Sequence, residues 1–432
     1  MTAARIPNLR WWIAGLLAVA TALNYLDRQS FPIAVKVLQR DIPVSDRQYS
    51  TLQSAFLLAY SLMYAGGGRI MDRLGTRAGY AVVILWWSIA NFLHGLATSV
   101  GSLAIFRFLL GLGEGGSFPG SAKVVSEWFP AAERSTAFGI FNTGSSVGAV
   151  IAPPLIAGMI VAFGNWRWAF FATGTFGILW AGLWWKFYAL PSRHARITEP
   201  ERRLLESSIP VALPPAPYRQ FFRYVPVWGL MTAKFLTDSA WFFFIFWLPR
   251  YLGEVRGLNI QEIGYYAWIP YTFAGVGSLS GGALSSALLR RGFSLNSARK
   301  IPLSLSAALM PFSLLIVSSR LSLAIVFFSI ALFAHQFWST IVQTLVTDLF
   351  APRSVGSVAG LLGAVGSFGA MLFNLMVGML LAQFHGYGVV FAIAGLLHPV
   401  SLLIVLMTTR RIERLDNFET ESIRELSCQT NS

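Results

Sequence analysis

Twelve separate apolar runs, each about as long as a membrane is thick, constrain this chain more than any other feature. They lie at about 10–32, 48–68, 78–98, 101–125, 134–162, 167–188, 226–250, 263–289, 300–318, 321–347, 355–383 and 387–408. A helix needs roughly 20 apolar residues to cross a bilayer. Only 12% of the 432 residues are charged, against about a quarter in a soluble protein. The sequence therefore predicts an all-α polytopic membrane protein with twelve transmembrane helices.

The basic residues lie in short clusters between these runs and give a net charge of +14. If both termini lie on one side of the membrane, 23 of the 33 Lys and Arg residues fall on that side and seven on the other. An excess of Lys and Arg marks the cytoplasmic side. We therefore expect cytoplasmic termini and no nucleic-acid partner. Arg28, Arg107 and Lys234 remain at membrane depth.

The first apolar run fits two interpretations. Arg5, Arg10, the apolar core and the small residues of "AVATA" could form a cleaved signal peptide. The eleven runs that follow and the loop charges favour a retained first helix.

The single cysteine, Cys428, lies in the polar tail, so it cannot form an intrachain disulfide.

Parts of the sequence repeat at a spacing of about 220 residues. The "SLAI" of 102–105 recurs at 322–325, and Gly148-Ala149 corresponds to Gly369-Ala370. The repeat predicts two six-helix halves, 1–189 and 225–410, with a cytoplasmic linker at 190–224 and a polar tail at 411–432. Duplicated halves are the architecture of secondary transporters, whose substrate site lies between the halves. We therefore predict a transporter and not an enzyme.

Charged groups at membrane depth are costly and point to function. Arg107 and Glu114 are seven residues apart, on one face of helix four. They form either a structural ion pair or a site where the Glu114 carboxyl gains and loses a proton as the cavity opens. We favour the second interpretation.

Asp27 and Arg28 project about 100° apart on helix one, so they cannot pair with each other. They either mark the water-facing end of the helix or find separate partners. The second alternative suits a cation for an anionic substrate and a carboxyl for a proton.

On helix seven, Lys234 and Asp238 are four residues apart, and we expect them to neutralise each other.

Several polar or aromatic side chains interrupt the apolar helices. Such groups either hold helices together or bind a polyhydroxylated ligand. The candidates for the ligand site are Tyr25, Tyr60, Asn142, Ser145, His335, Gln336, Trp338 and Asn374. We expect the aromatic run at 241–247 to face lipid and fill the core.

The short segment "GRIMDRLGTR" at 68–77 joins helices two and three. Its pattern, built from Gly68, Asp72, Arg73, Gly75 and Arg77, resembles the signature loop of the major facilitator superfamily. In that superfamily the loop acts as a latch for the inward gate.

Longer stretches narrow the resemblance. The segments "LNYLDRQSF" (23–31), "KFLTDSAWFFFIFWLPRYL" (234–252), "AHQFWS" (334–339) and 107–155 resemble the anion:cation symporter family, nearest to bacterial proton-coupled hexuronate and aldonate transporters. The resemblance covers about residues 8–410. It implies the major facilitator fold, uptake of a small organic anion with a proton across the inner membrane, no cofactor and a monomer. Sodium is the alternative coupling ion.

The resemblance also assigns residues. It implies that Arg28 holds the substrate carboxylate, that Asp27 and Glu114 carry protons, and that Arg107 is the partner of Glu114. Tyr60 and Asn374 match positions that contact ligand. Two departures are Lys234, where many relatives have arginine, and "GGALSSALLRRG" (281–292), a degenerate second copy of the signature loop that argues against symmetric gating.

Other functions remain open at this point. A phosphate-ester or other organic-anion antiporter could use Arg28 together with Lys234, and a transporter-like sensor would bind ligand without moving it. A drug exporter would need a wider apolar pocket. The two additional carboxyls, Asp27 and Glu114, favour proton coupling.

Overall fold

The computed structural model describes residues 5–130, 133–208, 218–350, 352–384 and 386–415. A few side chains within its helices, among them those at positions 68, 69 and 72, are outside the description. The helices of the first half are α1 (Leu9–Leu38), α2 (Asp46–Leu74), α3 (Thr76–His94), α4 (Val100–Glu114), α5 (Ser117–Trp128), α6 (Arg134–Phe163) and α7 (Arg167–Phe187). Two short helices follow, α8 (Glu199–Ser208) and α9 (Tyr218–Phe221). The second half contains α10 (Val225–Glu254), α11 (Ile260–Arg290), α12 (Leu295–Leu309), α13 (Leu321–Leu349), α14 (Pro352–Phe384) and α15 (Gly388–Thr408).

These helices confirm the all-α fold with twelve predicted spans, because α4 and α5 share one span and α12 continues as a 3₁₀ turn, Met310–Leu315. By length and composition alone, six described helical segments could cross a membrane: Leu9–Leu38, Thr136–Phe163, Ile260–Arg290, Leu321–Leu349, Ser357–Phe384 and Gly388–Thr408. The other spans are shorter, interrupted or richer in polar and charged residues.

The fourth predicted span, at about 101–125, is present but is interrupted near its middle. The chain leaves α4 after Glu114 and starts α5 at Ser117, with Gly115 and Gly116 between them. Glycine is about 1 kcal/mol less favourable than alanine in a helix. A Cβ atom at Gly115 would lie 2.5 Å from the carbonyl oxygen of Tyr60, so only glycine permits this approach to α2. Glu114 therefore ends α4 deep in the bundle.

The signature segment is mostly helical, so the prediction of a loop at 68–77 is wrong in its extent. Helix α2 continues to Leu74 and α3 begins at Thr76, which leaves only Gly75 between them. Gly75 has a φ of 73°, a conformation that side chains disfavour. A single glycine therefore makes the whole turn.

The aromatic run at 241–247 is buried, which confirms the expectation that it fills the core, whereas the expectation that it also faces lipid is wrong. Its seven side chains are at most 7% exposed. The reason is that α10 packs against α1 in the first half and against α14 and α15 in its own half.

The two halves meet along α2 with α14 and along α6 with α11. We call the end of the bundle that contains Leu38 and Asp46 the distal end, and the end that contains Leu9 and Thr408 the terminal end. At the distal end, Arg250 Nη2 lies 2.7 Å from Asp46 Oδ1, and Lys36 Nζ donates to the carbonyl of Gly253 at 2.9 Å. These contacts join the halves at that end.

Candidate functional site

Arg28 occupies the centre of the candidate site. It projects from α1 and is 2% exposed, while Glu114 at the end of α4 is completely buried. Its Nε donates to Oε2 of Glu114 at 2.8 Å, and its Nη2 donates to Oδ1 of Asn24 at 3.1 Å. A guanidinium has five N–H groups. The described contacts therefore leave donors on Arg28 for a ligand.

Aromatic rings surround this guanidinium. Its Cζ lies 4.7 Å from the ring centroid of Tyr25 and 4.8 Å from that of Tyr60. Phe56 and Phe242 follow at 5.5 and 5.8 Å. Such contacts stabilise a cation, most strongly where water is excluded. Phe242 belongs to α10, so both halves contribute to the surroundings of Arg28.

The expected pairing of Glu114 with Arg107 is wrong, because Arg28 is the ion-pair partner of Glu114. Arg107 Nη2 instead donates to Oε1 of Gln53 on α2. Helical side chains lean towards the helix N-terminus, so Arg107 leans away from a residue seven positions later. Arg28 therefore has a carboxylate partner of its own, on a helix other than α1.

Arg107 begins a chain of hydrogen bonds that reaches the second half. Gln53 donates from Nε2 to the hydroxyl of Tyr49 at 2.9 Å, and this hydroxyl donates to the carbonyl of Phe246 on α10. Arg250, which pairs with Asp46 at the distal end, lies 4.6 Å from the Tyr49 ring centroid. The helix-four cation is therefore connected to the distal contact between the halves.

Asp27 lies in a separate polar cluster, as its position relative to Arg28 predicts. Its Oδ1 accepts a hydrogen bond from Nδ2 of Asn91 at 2.7 Å, and Asn91 also donates to the Thr173 hydroxyl at 2.7 Å. Asp27 is completely buried, so the alternative of a water-facing helix end is wrong. Within the described residues, Oδ2 of Asp27 and Oε1 of Glu114 accept no hydrogen bond. A proton on either carboxylate would remove the cost of burying its negative charge.

A narrow cleft lies next to Arg28, between the halves. It is nearly closed in this structure, with a cavity volume of about 10 Å³, and is lined by Tyr25, Ser145, Ser146, Ala149, Trp241, Tyr271, Ala274 and Gln336. Tyr25, which contacts the Arg28 guanidinium, is the link between the two. Of the predicted ligand residues, Tyr25, Tyr60, Ser145 and Gln336 therefore lie at the guanidinium or the cleft.

The other predicted ligand residues lie elsewhere. Asn374 accepts a hydrogen bond from Trp247 at 2.9 Å, and Asn142 is exposed outside the cleft lining. His335 bonds to His398 on α15 at 3.2 Å, and the indole of Trp338 packs against His398. The contacts of Asn374, His335 and Trp338 with other helices suit the alternative in which single polar groups hold helices together.

Lys234 and Asp238 form the expected ion pair. The distance from Nζ to Oδ1 is 2.8 Å, and both side chains are largely buried. A lysine with its own carboxylate is less available to an anionic ligand. This contact speaks against an antiporter that uses Lys234 as its second cation.

The signature segment is described in part. Gly68 and Asp72 lie on α2, but their surroundings are outside the described residues, and Arg73 is exposed. Arg77 donates from Nε to the carbonyl of Trp185 at 3.0 Å. The latch role of Gly68, Asp72, Arg73, Gly75 and Arg77 stays a prediction.

Several side chains in and around the candidate site are not predicted from the sequence. They are Asn24, Gln53, Asn91, Thr173, Trp241, Phe242 and His398. Asn91, Gln53 and His398 are polar residues in otherwise apolar stretches, a signal that each needs a buried partner. Nothing in the sequence marks Phe242 among the neighbouring phenylalanines.

Comparison with known proteins decides the family. A family model described as Major Facilitator Superfamily matches residues 17–373. The chain belongs to the major facilitator superfamily. It is a multi-pass membrane transporter and not an enzyme.

Curated relatives of this transporter cover most of its length. The hexuronate transporter of Escherichia coli K12 is 35% identical over 410 residues, 93% of this chain and 94% of the relative. The galacturonate transporter of Dickeya chrysanthemi is 35% identical over 313 residues, 71% of this chain and 90% of the relative. A solved bacterial homologue of the human lysosomal transporter Spinster, inward-facing and occupied, is 21% identical. It has a TM-score of 0.68 over 93% of this chain and 95% of its own.

Proposed function

We propose that this transporter carries a sugar acid, foremost a hexuronate, together with a proton into a bacterial cell. The observation that carries the proposal is the buried pair of Arg28 and Glu114, surrounded by aromatic rings next to a cleft between the halves. Curated relatives named hexuronate and galacturonate transporters, each 35% identical, support the substrate class.

The mechanism follows from an exchange of partners at Arg28. When Glu114 is ionised, its carboxylate forms an ion pair with the Arg28 guanidinium. When Glu114 takes a proton, its charge is removed and the Arg28 N–H groups can bind the planar carboxylate of the substrate in two-pronged geometry. One proton and one monovalent anion enter together, so the net charge of the buried site stays constant. Asp27 is the second proposed proton carrier.

We infer the remaining features of the assignment from the same reasoning. The transporter acts as a monomer in the inner membrane, with both termini in the cytoplasm and no cofactor. The proton is the proposed coupling ion in preference to sodium, because the carboxylate that pairs with Arg28, that of Glu114, can itself take up a proton and release Arg28. The distal end is then the periplasmic end, and the contacts between the halves close it.

Uptake by purified protein in liposomes tests the proposed function. Labelled glucuronate, galacturonate, gluconate and glucarate are offered with and without an inward proton gradient. We expect accumulation of at least one hexuronate, driven by the gradient and absent from empty liposomes. Accumulation of none of them, or accumulation driven only by sodium, contradicts the proposal. Counterflow distinguishes a transporter from a sensor that only binds.

The distal ion pair yields a prediction about conformational change. Asp46→Asn removes the ion pair between the halves but leaves Arg250 its contact with Glu254 in α10. A partly exposed pair contributes up to about 1 kcal/mol, roughly fivefold in a population. Double electron–electron resonance between spin labels at 47 and 255, in a Cys428→Ser background, should therefore report more of the distally open state. Glu254→Gln is the matched control, because it removes the ion pair of Arg250 within α10 and keeps the one between the halves. An unchanged distance distribution in Asp46→Asn contradicts this role.

A further inference from the structure

Trp241 on α10 has a distinct position at the cleft. It is 7% exposed and lines the cleft together with Tyr25, Ser145 and Gln336. One face of its indole is covered by the imidazole of His335, with ring centroids 4.7 Å apart and planes at 13°. The indole therefore meets the cleft with what remains of its surface, the opposite face and edge.

A second histidine supports this stack from behind. His335 Nδ1 and His398 Nε2 are 3.2 Å apart, so one of the two nitrogens donates a hydrogen bond to the other. Both histidines are buried, and the indole of Trp338 packs edge-on against His398 at 5.5 Å. This bond fixes the plane of His335, and the stacked planes fix the plane of Trp241. The proposed transport mechanism gives neither histidine a role.

The cleft and the proposed anion site are neighbours that share a residue. Tyr25 belongs to both, and Phe242, the residue after Trp241, lies 5.8 Å from the Arg28 guanidinium. A cyclic hexuronate has its carboxylate on a six-membered ring. When the carboxylate is bound to Arg28, a flat ring face with its C–H groups has to lie close to that point. An open-chain sugar acid has the same carboxylate and hydroxyls but no such rigid face.

We propose that Trp241 is the platform on which the sugar ring lies, held in orientation by the His335–His398 pair, and that this platform selects cyclic hexuronates over open-chain sugar acids. This inference rests on the proposed function and deepens it. An aromatic surface binds a flat apolar face through dispersion and burial of area. His335 and His398 act through Trp241 and are positioning residues.

The test is the ratio of two affinities, measured by calorimetry on purified protein with D-glucuronate and D-gluconate. We expect Trp241→Ala to lose about tenfold in affinity for glucuronate and less than threefold for gluconate, while Trp241→Phe stays within about threefold of wild type for both. Trp268→Ala removes an indole at an exposed position outside the cleft and should change neither affinity. If Trp241→Ala does not fold, Trp241→Leu fills the space without a flat face and replaces it.

The histidine pair is tested by the same ratio. His398→Leu removes the hydrogen bond to His335 and should lower the preference for glucuronate about threefold, whereas His398→Gln, which retains a hydrogen-bonding group, should restore it. Equal losses for both ligands, or no loss in Trp241→Ala, overturn this inference and leave the proposed function intact. A wild-type protein that binds neither ligand overturns both.

Discussion

Arg28→Ala should abolish measurable binding of a hexuronate, and Arg28→Lys should retain only weak binding. Both substitutions remove the forked guanidinium, and lysine keeps the charge but offers a single ammonium. Losing one partner of a buried, charge-assisted pair costs about 2–5 kcal/mol, roughly 30-fold or more in affinity. Calorimetry with glucuronate measures the loss directly.

The control for Arg28 is Lys234, the basic residue that lies at membrane depth in the second half. Lys234→Ala should bind glucuronate within about threefold of wild type, because Lys234 already pairs with Asp238. A neutral sugar such as glucose should not compete, since it leaves the guanidinium uncompensated. Normal binding by Arg28→Ala, or competition by glucose as strong as by glucuronate, shows that the anion site lies elsewhere.

Glu114→Gln should abolish uphill uptake but leave substrate exchange across the membrane partly intact. Glutamine retains an oxygen that accepts from Arg28 Nε, but it cannot take up a proton. The substrate still binds and crosses, but the proton gradient no longer drives it. Accumulation in liposomes with an imposed pH gradient should fall to the level without a gradient, while exchange between labelled and unlabelled substrate continues.

A matched substitution separates this effect from a general loss of charge. Glu262 lies in the first turn of α11 at the distal end, where its side chain accepts a hydrogen bond from the backbone N–H of Asn259, and Glu262→Gln preserves that cap. Its accumulation should equal that of wild type. Full proton-driven accumulation by Glu114→Gln contradicts the assignment of Glu114 as the proton carrier. Asp27→Asn should behave like Glu114→Gln.

The spans could be predicted from sequence, whereas the partners of the buried charges could not. A run of about 20 apolar residues is a local property, so the twelve spans follow from counting. The spacing of Asp27 and Arg28 on one helix also settles that they cannot pair. Which carboxylate meets Arg28 depends on how α1 and α4 approach each other, and no local pattern records that distance.

Two wrong expectations share one cause. The helical spacing of Arg107 and Glu114 places them on one face, but each finds its partner on a different helix. The aromatic run at 241–247 has the composition of a lipid-facing surface but is enclosed by three neighbouring helices. In both cases helix packing decides the outcome, and composition within one helix carries no information on it.

The exchange of partners at Arg28 is tested most directly by counting protons. Calorimetry of glucuronate binding in buffers with different ionisation enthalpies gives the number of protons taken up per substrate bound. If Glu114 is protonated when the substrate takes its place on Arg28, the wild-type protein takes up about one proton, and its affinity falls as pH rises. Glu114→Gln should bind with clearly less proton uptake. Binding by the wild-type protein without proton uptake, or equal uptake by Glu114→Gln, contradicts the mechanism.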